Sequence, residues 1–153
     1  MSVGDQMNTL KIKKHQQGFT LIEVMVSVIV LAIGLLGMAG LQTVTLQNGQ
    51  SAYMRSQATI LAYDIMDRMR INRDQAINGS YDLALNATPS SGSGVHQQDL
   101  TAWVADLAEA LPAGDGSVDC TSVSGLCSIV VQWDDTRATE GIATQQVNIT
   151  ARL

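Results

Sequence analysis

An eighteen-residue apolar run, Val24 to Leu41, broken only by Ser27, constrains this chain more than any other feature. No charge occurs between Glu23 and Arg55. At about 1.5 Å per residue the run makes roughly 27 Å of helix, close to the ~30 Å hydrocarbon thickness of a bilayer. The chain is therefore expected to be made as a single-span membrane protein. Ahead of the run lies a short polar segment with Lys11, Lys13 and Lys14, and at the junction stands one acid, Glu23. A carboxylate where hydrocarbon begins is costly and tends to mark function, usually with a partner.

The order of these parts excludes a secretory signal, which places its apolar region before the cleavage point. Here the sequence runs polar leader, Gly18, Phe19, then hydrocarbon-compatible helix. Cleavage after Gly18 leaves the whole apolar segment on the product and creates an α-amino group on Phe19, four residues before Glu23. In a helical filament, Glu23 of an incoming subunit can pair with the Phe19 amine of its neighbour. The alternative is a Glu solvated at the headgroup level.

Gly18-Phe19-Thr20-Leu21-Ile22-Glu23-Val24 closely resembles the type III signal of type IV prepilins and type II secretion pseudopilins. From Gly18 to Gln42 the chain resembles the type IV pilus modification protein family, the PilV-type minor pilins. The resemblance implies cleavage between Gly18 and Phe19 by prepilin peptidase, N-methylation of Phe19, and the same charge pairing at Glu23. It also implies other minor pilins, the major pilin and the inner-membrane assembly machinery as partners. The implied activity is structural: priming or capping the pilus and supporting twitching or adhesion. A type II secretion pseudopilin, or a tip adhesin or DNA-uptake pilin, shares the same N-terminal chemistry.

The expected organisation is a cleaved leader over 1–18, a transmembrane and filament-core helix over 19–46, and a periplasmic head over 47–153. Basic residues stay on the cytoplasmic side, so the leader lysines put the N-terminus in the cytoplasm and the head in the oxidising periplasm. The leader holds three of nine basic and one of fourteen acidic side chains. Without it the balance is six against thirteen, a formal −7. Such a surface repels phosphate backbones, so no nucleic-acid partner is expected.

Cys120 and Cys127 are the only cysteines, with Ser124 and Gly125 between them to turn the chain, and a disulfide is expected. A metal site needs further ligands, and His15 and His96 are isolated. No metal, cofactor or catalytic constellation is expected. Asp134 and Asp135 are adjacent and make a poor acid–base pair, better suited to a turn or solvated edge. Three sequons, at Asn78, Asn86 and Asn148, are too short a pattern to carry weight.

The pattern predicts an α+β, pilin-like fold. Its long N-terminal helix, membrane-spanning in its first half, packs on a small C-terminal antiparallel sheet with one extra helix. No proline interrupts Phe19 to Thr88, so one helix can run to about Asn72. Met54, Ala58, Leu61, Ile65 and Met69 form its core stripe. Asp64–Arg68 and Arg70–Asp74 are candidate pairs at four-residue spacing. Gly34, Gly37 and Gly40 allow close helix approach in a membrane, or weaken the helix where packing demands extension. Asn78-Gly79 marks a turn. Asp99 is expected to cap a second helix, Leu100 to Leu111, with Leu100, Val104, Leu107 and Leu111 inward and Trp103 beside them. The last third changes to period two: a strand near Ser117–Val123, then Cys127, Ile129, Val131 and Trp133 on one face, then Val147, Ile149, Ala151 and Leu153. Residues 79–96 match no usable pattern.

Overall fold

The computed structural model describes residues 18–153. The leader lysines and His15 lie outside the described residues. The described residues divide into two units, with the boundary between Ala39 and Gly40. Six elements follow in order: α1 (Leu21–Ile71), α2 (Arg73–Ile77), α3 (Val95–Ala110), β1 (Asp115–Thr121), β2 (Leu126–Trp133) and β3 (Gln145–Arg152). The fold is α+β and pilin-like, with a long apolar N-terminal helix, a three-stranded antiparallel sheet and an extra helix.

In the first unit every described residue is exposed. An eighteen-residue window of α1 reaches a mean hydropathy of 2.6 with none of it buried. A helix that is apolar all round and bare of neighbours suits lipid or the centre of an assembly.

In the second unit α1 changes character. Met54, Ala58, Ala62, Ile65, Met66 and Met69 are buried along one face, with Leu61 partly buried beside them. The stripe is thus wider than the sequence suggested. Trp103 of α3 is fully buried, and its indole N–H donates to the carbonyl of Leu61 at 2.9 Å. Leu100, Leu107 and Leu111 complete the inner face of α3. A Cβ on Gly116 of β1 would stand 2.3 Å from the Trp103 ring and 2.8 Å from Leu107, so only glycine lets the strand lie under that helix.

The sheet has order β1-β2-β3, all antiparallel. β2 is central, and Cys127, Ile129, Val131 and Trp133 are all fully buried on one face, as its alternation predicted. On β3 the same inward alternation holds, but Val147, Ile149 and Ala151 are only half-buried because the strand lies at the margin. Cys120 and Cys127 are opposite each other in the β1–β2 register and form the expected disulfide across it, with Cα atoms 4.1 Å apart. Gly125, at φ +63°, turns the hairpin that the bridge closes.

Residues 81–86, which the sequence left unread, protect the outer edge of β1. Leu83 and Val118 exchange both backbone hydrogen bonds, at 2.8 and 2.9 Å. The Asp82 carboxylate accepts from the Cys120 N–H at 3.0 Å, and the Asp115 carboxylate accepts from the Asn86 N–H. Unpaired strand-edge groups are thereby satisfied by side chains as well as backbone.

Several local expectations need correction. The extra helix begins at Val95 rather than Leu100, after Gly94 as the capping residue; the Gly94 N–H donates to the Gln97 side-chain oxygen at 3.0 Å. Asp99 is therefore not a cap. It sits inside α3 and accepts the Tyr81 hydroxyl at 2.6 Å. Burial and then that carboxylate push the Tyr81 phenol up to about 12. The helix ends at Ala110, before Pro112. Arg70 pairs with Asp67 at 2.7 Å instead of Asp74, because α1 stops at Ile71 and breaks the four-residue spacing. Asp64–Arg68 forms as expected at 2.8 Å, and Arg68 also faces Asp106 at 3.7 Å and Asp99 at 3.8 Å across to α3. The first strand starts two residues earlier than expected and ends at Thr121.

Candidate functional site

The residues singled out at the N-terminus adopt a definite local arrangement. Gly18, Phe19 and Thr20 are outside any helix, and α1 begins at Leu21. Thr20 sets that boundary: its hydroxyl accepts from the Glu23 N–H at 3.3 Å, and its carbonyl accepts from the Glu23 and Val24 N–H groups at 3.1 and 3.3 Å. This is the N-cap geometry of a Thr-x-x-Glu sequence. The Gly18–Phe19 peptide bond thus lies two residues before the first helical position, in chain that is not committed to helical hydrogen bonds.

Phe19 is 84 % exposed. It shares the wall of a groove with Glu23, Val24, Ser27, Val28 and Leu31, and Glu23 is the groove's single ionisable side chain. An acid in the first turn also suits the positive end of the helix dipole. Ser27 turns its hydroxyl back to the Glu23 carbonyl at 2.7 Å, so the polar interruption of the apolar run is satisfied within the helix. Among the described residues nothing lies within 4 Å of a Cβ built on Gly18.

Residues 13–39 match the family model described as the prokaryotic N-terminal methylation motif. The match supports a type IV pilin-like protein. It includes Gly18, Phe19 and Glu23, and it implies processing by prepilin peptidase and assembly with pilus machinery. No curated protein and no solved structure matches the chain. The motif belongs to structural rather than enzymatic proteins, and the apolar, unburied start of α1 is consistent with membrane anchoring.

Asp134 and Asp135 behave differently from each other. Asp134 accepts from the Thr136 N–H at 2.9 Å, which holds its carboxyl below the usual range. The expected turn or solvated edge fits Asp134 and fails for Asp135, which is 1 % exposed and accepts the Ser51 hydroxyl at 2.6 Å. Sequence reasoning missed Ser51 as well. The signal was a lone serine on the buried face of an otherwise apolar stripe, three residues before Met54, which requires a polar partner.

Proposed function

We propose that this chain is a minor pilin of the PilV type, a non-catalytic subunit of the type IV pilus. Prepilin peptidase cuts between Gly18 and Phe19 and the Phe19 amine is methylated. Residues 1–18 are removed as the leader, residues 19–46 serve first as the membrane span and then as filament core, and residues 47–153 form the head. The precursor sits in the inner membrane with its C-terminus in the periplasm. It then joins other minor pilins and the major pilin in a complex that primes or caps the filament, for twitching or attachment.

One observation carries this reading: a non-helical Gly18–Phe19 bond stands just before a capped helix whose apolar first part is exposed and whose first turn bears Glu23. Once cut, the new amine offers a neighbour's Glu23 the partner that a carboxylate needs on leaving water. Mass spectrometry of the protein from sheared pili tests the cleavage; a mature N-terminus at methylated Phe19 is expected, and an intact leader contradicts it. Glu23→Val is expected to leave insertion and cleavage intact and to reduce incorporation into filaments by at least about tenfold, the scale of a lost buried charge pair. Normal incorporation of that variant excludes the pairing. A deletion strain with normal pili and impaired exoprotein release redirects the assignment to a secretion pseudopilin.

A further inference from the structure

The two outer strands of the sheet are finished differently. The far edge of β1 is covered by residues 81–86, through the Leu83–Val118 bridge and the Asp82 carboxylate. The side of β3 away from β2 has no such cover. Outside the sheet's own ladder, no backbone group of Gln145–Arg152 bonds to another backbone group among the described residues. Proteins usually blunt an open edge with a short strand, lysine, proline or a bulge. β3 is eight residues long and pairs with β2 one to one, without a bulge. It contains neither lysine nor proline, and its single charge is Arg152 at the end.

We propose that this edge is the docking site for an extended segment of another protein, added antiparallel as a fourth strand and carrying an acid opposite Arg152. A row of alternating N–H and C=O groups is matched by another strand, and antiparallel pairing gives straight bonds, as in the rest of the sheet. On the core side, Val147, Ile149 and Ala151 stand at alternate positions and are only half-buried. Apolar residues at alternate positions of the incoming segment would cover them. On the other face, the Asn148 side-chain oxygen accepts from Ser128 at 3.2 Å and from Thr150 at 3.4 Å, and Gln146 donates to Gln132 at 2.7 Å. That exposed, uncharged ladder suits small polar neighbours such as serine or threonine.

The charge at the end of the edge decides between occupants. Arg152 is exposed, and its Nε donates to the Ser124 carbonyl at 2.8 Å, which holds the guanidinium beside the hairpin turn. None of the ion pairs formed by the described residues involves it, and residues 141–153 contain no acid. A segment that begins with Asp or Glu and runs antiparallel brings a carboxylate to this guanidinium. A second copy of β3 has no acid to bring: antiparallel pairing centred on Ile149 sets Arg152 opposite Gln146. The proposal stands on the head alone and does not depend on processing at Gly18.

The test uses the full chain, ¹⁵N-labelled in detergent micelles at low, fixed ionic strength. The probe is the peptide acetyl-Glu-Val-Thr-Ile-Thr-Val-Thr-amide, whose residues lie antiparallel from Arg152 to Gln146. Saturable shifts and slowed amide exchange are expected along Gln145–Arg152, and no change in Asp115–Thr121. Replacing the peptide's central Ile by Pro is expected to remove binding, and replacing its Glu by Lys to weaken it about threefold or more. Arg152→Glu is expected to reverse that preference. Val147→Lys places a charge in the row to be covered and is expected to abolish binding; the peptide variants test the unaltered chain should Val147→Lys not fold. The absence of saturable shifts, equal binding of the proline peptide, or equal binding of the Glu and Lys peptides each overturns the proposal. Exchange protection of β3 that rises with protein concentration in the absence of peptide assigns the edge to a second copy and overturns it too.

Discussion

The described residues up to Gln50, all of them exposed, and those from Ser51 onward obey opposite logics. In the first stretch, large apolar side chains such as Val30, Leu31 and Leu36 are more than half exposed, and the Cβ positions of Gly18, Gly34 and Gly37 have nothing within 4 Å among the described residues. In the second, Trp103, Trp133, Tyr81 and Ile65 are fully buried, and Gly116 is fixed by the ring above it. The head's residues are explained by one another. Those of the N-terminal helix are explained only by something the helix meets: lipid, a processing enzyme or other subunits. Exposed apolar surface of this extent marks an interaction surface, and here it runs along the first part of α1.

The sharpest way to break this contrast is to truncate one large side chain on each side. Trp103→Ala removes the ring that covers β1 and the indole hydrogen bond to Leu61, and is expected to destabilise the head by about 3–5 kcal/mol. Leu31→Ala in the bare helix is expected to change head stability by less than about 0.5 kcal/mol. Denaturant unfolding in micelles, read by tryptophan fluorescence, checks both. A comparable loss from Leu31→Ala would show that the apolar helix supports the head.

A smaller effect is expected at the sheet. Replacing Cys120 and Cys127 together by serine removes the cross-strand bridge and is expected to cost about 2–3 kcal/mol. The same unfolding curve measures it. The smallest effect is one of pH. Because the Tyr81 phenol is held up at about 12 in the fold, against 10 when free, its contribution is fully present below pH 10 and is lost as pH rises towards 12. Thermal melts of the unaltered chain should therefore fall more steeply across that window than those of Tyr81→Phe. Equal slopes would place the alkaline sensitivity elsewhere.

Much of the architecture was legible because it rests on local periodicity. The charge-free run before Arg55, the helix stripe from Met54 to Met69, and the alternation in β2 and β3 are repeats that burial alone imposes. The Cys120–Cys127 pairing needed only a turn between two thiols. What escaped depended on residues far apart in the chain. Ser51 and Asp135 are 84 positions apart, so neither carries a sign of the other. Asp99 looks like a cap when read alone, and becomes the acceptor for Tyr81 only once α3 is folded. Leu83 meets Val118 through one isolated bridge, too short to show a strand period. At the N-terminus the reverse holds: Gly18, Phe19 and Glu23 were the most legible residues, although the fold itself gives them little to do.

The hairpin clasp has a consequence for the order of events during biogenesis. Its two thiols are seven positions apart in the sequence, and the strand that completes the sheet starts at Gln145. Joining near neighbours along a chain requires little loop closure. In an oxidising compartment this corner can therefore close before the last strand has joined the sheet.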